Sequence, residues 1–387
     1  MGLGAIVAQG QGLTSPPPPI EFGVMRLRES QEFYRAYEAT FPSARPSGVT
    51  ENDTVTVRAW FPTTNDGPAP LVVMLHYWGA DDLNLEAALA KRLANAGIAS
   101  AAISLPYHLE RTPEGRRSGE AALTPDSSAL KSTMAQALAD VRRTIDWAQT
   151  RPEVDPNRIG IEGTSLGALV AALSFGVDHR IHAGTFLLGG ADLAFVFWNS
   201  ARTVSLRNSM RGQGYTEERL REELAEIEPL NALKSAPPRP ALVISARYDT
   251  VVPPQSSSAL FDALSDPDSI VLDSGHYGGS LIQNAILRHT AEFFVKTFRG
   301  EAYQAPGRLY VPTLRVGLAL SAERGLQVVV GLDLWRLRNS NSLFASALAT
   351  PQGVQGFLGY NLSSGLAVGA MVMPKRTAPG LFWSVVF

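Results

Sequence analysis

A serine flanked by small residues stands at the centre of the pattern Gly163-Thr164-Ser165-Leu166-Gly167. The run 158–162 before it, with Ile159 and Ile161, predicts a buried strand, and the run 166–174 after it predicts a helix. A strand, a sharp turn and a helix around a serine form the geometry that exposes a nucleophilic hydroxyl. The alternative is an ordinary serine at the start of a helix. We predict that Ser165 is a nucleophile.

A serine hydroxyl attacks a carbonyl only when a base takes its proton. His276 lies between glycines in the segment DSGHYGG, directly after the short predicted strand 269–272. That position suits a loop at the carboxyl end of a sheet, and we predict that His276 is the base. His289 falls within an amphipathic helical pattern and is interpreted as structural. His179 and His182 form an H-x-x-H pair without a third ligand nearby, so no metal site is predicted there.

The base in turn needs a carboxylate that orients its ring. Asp249 follows the predicted strand 241–245 and precedes a predicted helix, so it also belongs to a loop at a strand end. Asp273 is the rival acid, but it lies too close to His276 in sequence to reach across a site easily. An Asx-turn residue is the other interpretation of Asp249. We predict that Asp249 is the orienting acid.

Two backbone N–H groups are needed for the oxyanion that forms during acyl transfer. One is predicted to come from Leu166, and the other from Tyr77, with Trp78 as the second choice, in the loop after the apolar run 71–75. The apolar cluster 195–198 either lines a substrate pocket or packs in the core. The residues predicted to line the pocket are Trp78, His108, Phe197, Trp198 and Tyr277.

The elements that must position these residues alternate between strands and helices from about residue 55 to 300. Apolar runs flanked by turn residues alternate with helical periods, which predicts a mostly parallel sheet with helices on both faces. We predict a disordered or leader segment with a proline-rich linker (1–22) and an α/β catalytic domain (23–303) with a cap insertion (about 191–238). A C-terminal domain rich in antiparallel β-strands (308–387) completes this division of the chain.

Composition excludes several classes of function. Of 387 residues 45% are hydrophobic and 18% charged, which favours a folded chain over a disordered one. The net charge of −2 gives no sign of nucleic-acid binding. The chain has no cysteine, so disulfides, thiolate nucleophiles and Cys-ligated metals are excluded. No metal or organic cofactor is predicted, and no apolar stretch is long enough to predict a transmembrane helix.

The tail 308–387 contains about six runs in which apolar residues alternate with small or polar ones. This pattern predicts either a small antiparallel β-domain packed on the rest of the chain or on a second subunit, or an outer-membrane β-structure, or disorder. Six strands are fewer than the eight of the smallest single-chain membrane barrel, so the membrane interpretation requires oligomerisation or further strands. Apolar edge strands also need a cover. A soluble cytoplasmic or periplasmic location is favoured, with outer-membrane association as the alternative.

Residues 50–300 resemble the α/β-hydrolases of the dienelactone hydrolase and acetyl-esterase-like branch. The matching segments are LHYWGAD, DPNRIGIEGTSLGA, ALVISARYDTVVPP and DSGHYGG, and the order Ser165, Asp249, His276 is the order of that superfamily. Many members have His-Gly where this chain has His76-Tyr77, and the tyrosine is expected to narrow the site. Dienelactone hydrolases use a cysteine nucleophile, which this chain lacks, so that activity is not expected.

The resemblance implies a serine hydrolase that cleaves small-molecule carboxylic esters through a Ser-His-Asp triad and an acyl-enzyme intermediate. Two alternatives remain open. One is a peptidase of the same fold. The other is a catalytically idle α/β-hydrolase scaffold tied to the cell envelope by its C-terminal β segment. Whichever function holds, the associations expected through residues 308–387 are a homo-oligomer or the outer membrane.

Overall fold

The computed structural model describes residues 12, 15–64, 67–311, 314–336, 343–362, 365–374 and 376–386. Much of the predicted disordered or leader segment, including residues 1–11, lies outside these described residues. In its described part, the carbonyl of Pro18 accepts a hydrogen bond of 2.9 Å from the Arg143 guanidinium. Ile20 and Phe22 pack against the core.

The described chain forms two compact units. The first, here called the sheet unit, comprises the residues up to Ser245, Val251–Ile270 and Leu287–Ala305. The second, the barrel unit, comprises Ala246–Thr250, Val271–Ile286 and the residues from Pro306 onward.

The sheet unit is built on a mostly parallel β-sheet. Its strands are β1 (Arg26–Ser30), β2 (Tyr34–Pro42), β3 (Thr54–Pro62), β4 (Ala69–Leu75), β5 (Ala99–Ile103), β6 (Val154–Thr164), β7 (Ile181–Leu187) and β8 (Ala241–Ala246). They lie in the order β1-β2-β3-β5-β4-β6-β7-β8. The strands from β5 to β8 in this order are parallel, and β1, β2, β3 and β5 pair antiparallel. Every residue of β4 and β5 is buried, which explains their unbroken apolar sequences.

Helices follow most of the parallel strands, as the alternating pattern predicted. They are α1 (Asn84–Asn95), α2 (Ser127–Gln149), α3 (Leu166–Val177), α4 (Leu193–Asn199), α5 (Val204–Gly212), α6 (Glu217–Leu224), α7 (Pro229–Leu233), α8 (Pro254–Ala263) and α9 (Gln283–Phe298). Among the described residues, no helix is long and apolar enough to cross a bilayer.

Helices α4 to α7 fall within the stretch predicted as a cap insertion. They bury an apolar cluster against α2 that includes Leu130, Leu138, Phe197, Met210 and Leu220. The burial of these side chains is what holds the short cap helices in place, because helices of five to nine residues have little stability of their own.

A buried ion pair fixes the segment that follows β5. The Arg111 guanidinium lies 2.9 Å from a carboxylate oxygen of Asp140 on α2, and both side chains are fully buried. Arg111 also donates to the carbonyls of Ser104 (2.9 Å) and Asn52 (2.8 Å). Asp140 accepts from the Ser43 hydroxyl at 2.7 Å. Because each charge has several partners, the network joins three distant chain segments without leaving a buried charge unpaired.

The barrel unit contains the end of β9 (Asp268–Leu272), β10 (Gly307–Leu309) and six further strands. These are β11 (Leu314–Ser321), β12 (Gly325–Arg336), β13 (Leu343–Thr350), β14 (Gly353–Asn361), β15 (Leu366–Met373) and β16 (Arg376–Val386). Each strand of the set β11–β16 pairs antiparallel with its neighbours. Strand β11 pairs with β16 as well as with β12, so these six strands form a closed barrel. Its interior is filled by side chains that include Phe344, Leu348, Phe357, Met371 and Phe382.

Closure corrects two expectations about the tail. The six strands need no further strands and no second subunit to complete a barrel, because β16 returns to pair with β11 over seven residue pairs. The ring also leaves no unpaired edge among its described strands, so the predicted need for an edge cover does not arise.

Two buried carboxyl groups lie in the sheet unit, one on α1 and one on β6. Glu86 on α1 is 1% exposed, and no side chain among the described residues hydrogen-bonds its carboxyl oxygens. Burial raises the pKa of Glu86 from 4.5 to about 7, and the nearby Asp82 adds to this. Burial also raises the pKa of Glu162 on β6 well above its ordinary range, with repulsion from Glu86 as the second cause. Folding therefore favours the protonated carboxyls.

This proton uptake makes stability fall as pH rises. A carboxyl whose pKa is raised by folding contributes its stability below the unfolded pKa, and that contribution is lost as pH rises through the folded pKa. Glu86→Gln removes the charge at similar volume. We expect it to stabilise the protein by about 1–3 kcal/mol at about pH 8 and by much less at about pH 5, measured by urea unfolding. The exposed Glu114→Gln is the control, and an equal effect of Glu86→Gln at both pH values would contradict the prediction.

Candidate active site

Ser165 occupies a strained turn between β6 and α3. Its backbone has φ 55° and ψ −112°, in the left-handed half of conformational space that non-glycine residues rarely adopt. Its N–H donates a hydrogen bond of 2.7 Å to the Leu187 carbonyl on the neighbouring strand β7. Such strain persists only where surrounding structure enforces it, and it is concentrated at functional sites.

The glycines of the motif are required by close backbone approach. A Cβ atom at Gly167 would lie 2.0 Å from the carbonyl oxygen of Leu75, at the end of β4. A Cβ atom at Gly163 would lie 2.2 Å from the carbonyl oxygen of Gly167. Both distances are far shorter than any van der Waals contact, so only glycine lets α3 start so near the sheet.

Ser165 lines a cavity of about 140 Å³ within the sheet unit. A cavity of ~150 Å³ is large enough for a benzene ring, so this one accommodates a small apolar group. Its walls come from the loop after β5, from α2, α3 and the cap, and they are mainly apolar. Among the lining residues are Trp78, Leu105, Pro106, Leu130, Met134, Leu169, Leu193, Phe197, Arg202 and Val252.

The two backbone N–H groups predicted to form an oxyanion site both lie in the sheet unit. Leu166 is the first residue of α3, so its N–H has no acceptor within the helix and lies at the positive end of the helix dipole. Tyr77 follows β4 by two residues. The ring of His76 holds this loop: Nδ1 donates to the Tyr77 carbonyl at 2.8 Å, and Nε2 accepts from the Leu105 N–H at 2.9 Å.

Burial keeps the His76 ring neutral, which this bonding pattern requires. It lowers the pKa of His76 to about 4, so one ring nitrogen remains an acceptor near neutral pH. Trp78 is held in a similar way, because its indole N–H donates to the Gly119 carbonyl at 2.9 Å. The Arg202 guanidinium from the cap lies 4.3 Å from the centre of the Trp78 ring, a cation–π contact.

A histidine–carboxylate pair lies in the barrel unit. His276 Nδ1 is 2.7 Å from Asp249 Oδ2, and both side chains are buried. Because a carboxylate only accepts hydrogen bonds, Nδ1 carries the proton that is donated, and Nε2 is left as the basic nitrogen. This is the arrangement that a general base of an acyl-transfer enzyme needs.

Backbone hydrogen bonds fix the loops that carry this pair. The Arg247 N–H donates to the Leu272 carbonyl at 2.9 Å, and the Tyr248 N–H donates to the Ser274 carbonyl at 3.0 Å. The rival acid Asp273 contacts arginines instead of His276: its carboxylate pairs with Arg247 at 3.3 Å and with Arg308.

The five residues predicted to line a pocket occupy different surroundings. Trp78 and Phe197 line the cavity beside Ser165. His108 is fully buried outside the cavity lining, where Nδ1 donates to the Pro106 carbonyl and burial lowers its pKa to about 3. Trp198 packs on the cap cluster rather than lining the cavity. The rings of Tyr277 and His276, both in the barrel unit, form a T-shaped contact with 5.2 Å between ring centres.

Three residues near the cavity were not predicted from the sequence. His76 directly follows a buried strand, and that position was the available signal for a loop anchor. Met134 and Arg202 line the cavity from α2 and the cap. Neither carries a motif, because their positions depend on how the cap packs.

Two family models match parts of the chain. A model of the dienelactone hydrolase family matches residues 57–189, and a model of the prolyl oligopeptidase family matches residues 128–301. No curated protein matches the chain.

Solved structures resemble the chain at low sequence identity. An acetyl xylan esterase from Paenibacillus sp. R4 is 19% identical with a TM-score of 0.55, over 70% of this chain and 87% of that one. Acetyl xylan esterase 1 from Thermoanaerobacterium sp. JW/SL YS485 is 17% identical with a TM-score of 0.54, over 73% and 91%. At these identities the likeness concerns the fold.

The strain at Ser165 can be measured. Glycine adopts the φ of 55° at little cost, whereas alanine does not, so we expect Ser165→Gly to be more stable than Ser165→Ala by about 1 kcal/mol. The matched pair Ser174→Gly and Ser174→Ala, inside α3, should show the opposite order by about 1 kcal/mol. Urea unfolding of the four variants tests this, and the same order at both sites would contradict it.

Proposed function

Because the chain is an α/β-hydrolase, similar to the dienelactone hydrolase and esterase-like branch, we propose that it is a serine hydrolase that cleaves carboxylic esters. The observation that carries this proposal is the strained turn that holds Ser165 at the wall of an apolar cavity. An ordinary helix-capping serine has no need of the left-handed backbone or of the two close glycine contacts.

In the proposed reaction, the Ser165 hydroxyl attacks the ester carbonyl carbon while its proton moves to His276 Nε2. The Leu166 and Tyr77 N–H groups stabilise the tetrahedral oxyanion. Collapse of this intermediate breaks the bond to the alcohol, which takes the proton from His276. Water then releases the acid from the acyl-enzyme by the same route, with Asp249 stabilising the imidazolium in both steps.

The cavity suits the acyl group of an ester substrate better than a polar leaving group. Its lining is mainly apolar and its volume suits a short acyl chain or a small ring. Among the described residues that line the cavity, Arg202 has the one cationic side chain, and its guanidinium contacts the face of the Trp78 ring. We propose that small esters with short acyl groups are the substrates.

A peptidase is the second candidate, and the match of residues 128–301 to the prolyl oligopeptidase family favours it. Comparing p-nitrophenyl acyl esters with p-nitroanilides of dipeptides distinguishes the two. Faster turnover of the anilides would assign the chain to peptide hydrolysis.

Fluorophosphonate labelling tests the nucleophile and separates an enzyme from an idle scaffold. We expect the wild type to be labelled and Ser165→Ala to be unlabelled. His276→Gln and Asp249→Asn should each lower kcat for p-nitrophenyl acetate by about a thousandfold or more. The matched controls His289→Gln and Asp273→Asn should retain most activity. Absence of labelling in folded wild-type protein would favour the scaffold, and a larger loss in Asp273→Asn than in Asp249→Asn would overturn the choice of acid.

The cavity wall predicts acyl-chain preference. Met134→Ala enlarges the cavity, so the ratio of kcat/KM for octanoate over acetate p-nitrophenyl esters should rise on the order of tenfold. Leu206→Ala is the control, since Leu206 packs on the same cap cluster but does not line the cavity. An unchanged ratio in Met134→Ala would place the acyl chain elsewhere.

A further inference from the structure

The outer surface of the barrel formed by β11–β16 is apolar on every strand. Arg336 and Val386 apart, the outward-facing positions between the turns carry no charged side chain within the described residues. Each strand exposes large apolar side chains on this surface, for example Val316, Leu326, Leu343, Leu358, Val368 and Leu381, one from each strand in order. Soluble monomers rarely expose a continuous apolar area of this extent.

The interior shows the opposite chemistry. Arg315 and Asp333 point inward and form a buried ion pair, with 2.8 Å between Arg315 Nε and Asp333 Oδ1. Ser346 hydrogen-bonds the same carboxylate, and Ser384 accepts from Arg315 at 3.3 Å. Together with the inner phenylalanines, these partners let the barrel keep its polar groups inside while its outside is apolar.

The two rims of the barrel differ from the band between them. Tight turns join β11 to β12 and β15 to β16 at one rim. Glu323 and Arg324 lie in the first of these turns, and Arg376 begins β16 next to the second. Toward the other rim lie exposed Trp335, Tyr360 and Trp383. Charged turns at one end and aromatic rings near the other border an apolar band in proteins that lie in bilayers.

We propose that the β11–β16 barrel is embedded in a lipid bilayer, with its outer surface against the acyl chains. A lipid environment fits better than a second copy of the chain, because the apolar surface continues around all six strands and one folded partner would cover only one side. Strands of eight residues at about 3.4 Å per residue, tilted by about 40°, span roughly 20 Å, close to the ~25 Å apolar band of bacterial barrels. Side chains fill the interior, so no channel is implied.

Flotation tests the proposal with the full chain. The protein is mixed with vesicles of dilauroylphosphatidylcholine, which carry no net charge, and centrifuged in a density gradient. We expect it to float with the vesicles and to stay with them after a high-salt wash. Protein that remains at the bottom overturns the proposal, and a defined oligomer that forms without lipid and does not float would assign the apolar surface to a second copy.

Charge substitutions locate the contact. Leu358→Arg places a charge in the middle of the outer surface, and we expect the floated fraction to fall at least tenfold. Ala322→Arg adds the same charge in an exposed turn, and it should float like the wild type. Equal flotation of both variants would overturn the proposal.

Fluorescence supplies a readout that does not depend on whether these variants fold. Vesicles of brominated phosphatidylcholine quench only tryptophans that contact acyl chains. We expect the wild type to be quenched, Trp383→Phe to lose a large part of the quenching, and Trp198→Phe in the cap to keep it. Unquenched wild-type protein would overturn the proposal even if it floats, since it would then be bound at the lipid headgroups alone.

Discussion

The site depends on the close approach of three backbones, at the ends of β4 and β6 and at the start of α3. Gly163 and Gly167 permit this approach, because a single methyl group at either position would overlap a backbone carbonyl. The same crowding forces Ser165 into its left-handed conformation and leaves the Leu166 N–H at the free end of a helix. This steric constraint therefore determines the position of the Ser165 hydroxyl, the point where the α3 dipole begins, and the position of the Leu166 N–H, one of the proposed oxyanion donors.

Buried hydrogen bonds and a buried ion pair hold the loops around Ser165 in position. His76 joins the loop after β4 to Leu105, and Arg111 joins the next part of the same segment to α2 through Asp140. Each buried polar group in these contacts has partners, so the loops are held without the cost of an unpaired charge. The cavity wall formed by Leu105 and Pro106 therefore takes its position from His76, Arg111 and Asp140, which do not line the cavity themselves.

Much of the sheet unit could be predicted from sequence because its strands are buried on both faces. The apolar runs of β4 and β8, the predicted strand 158–162 within β6, and the helical periods of α2, α3 and α9 matched the structure. Strand β1 was not predicted, since four of its five residues are exposed and polar residues dominate it. The fold class and the resemblance to α/β-hydrolases were confirmed.

The cavity wall was not predictable, because Met134 and Arg202 reach it through packing of the cap. The tail's alternation predicted about six strands but carried no signal for closure, which depends on register between β11 and β16.

The antiparallel closure of the barrel restricts how its size can change. In a ring of alternating strand directions, a single added or deleted strand would bring two strands of the same direction together at the seam and interrupt the antiparallel ladder. Growth or loss must therefore proceed by whole hairpins. A wider relative of this domain would have eight strands rather than seven. A truncation that removed one strand of a hairpin would prevent the remaining five strands from closing with antiparallel pairs throughout.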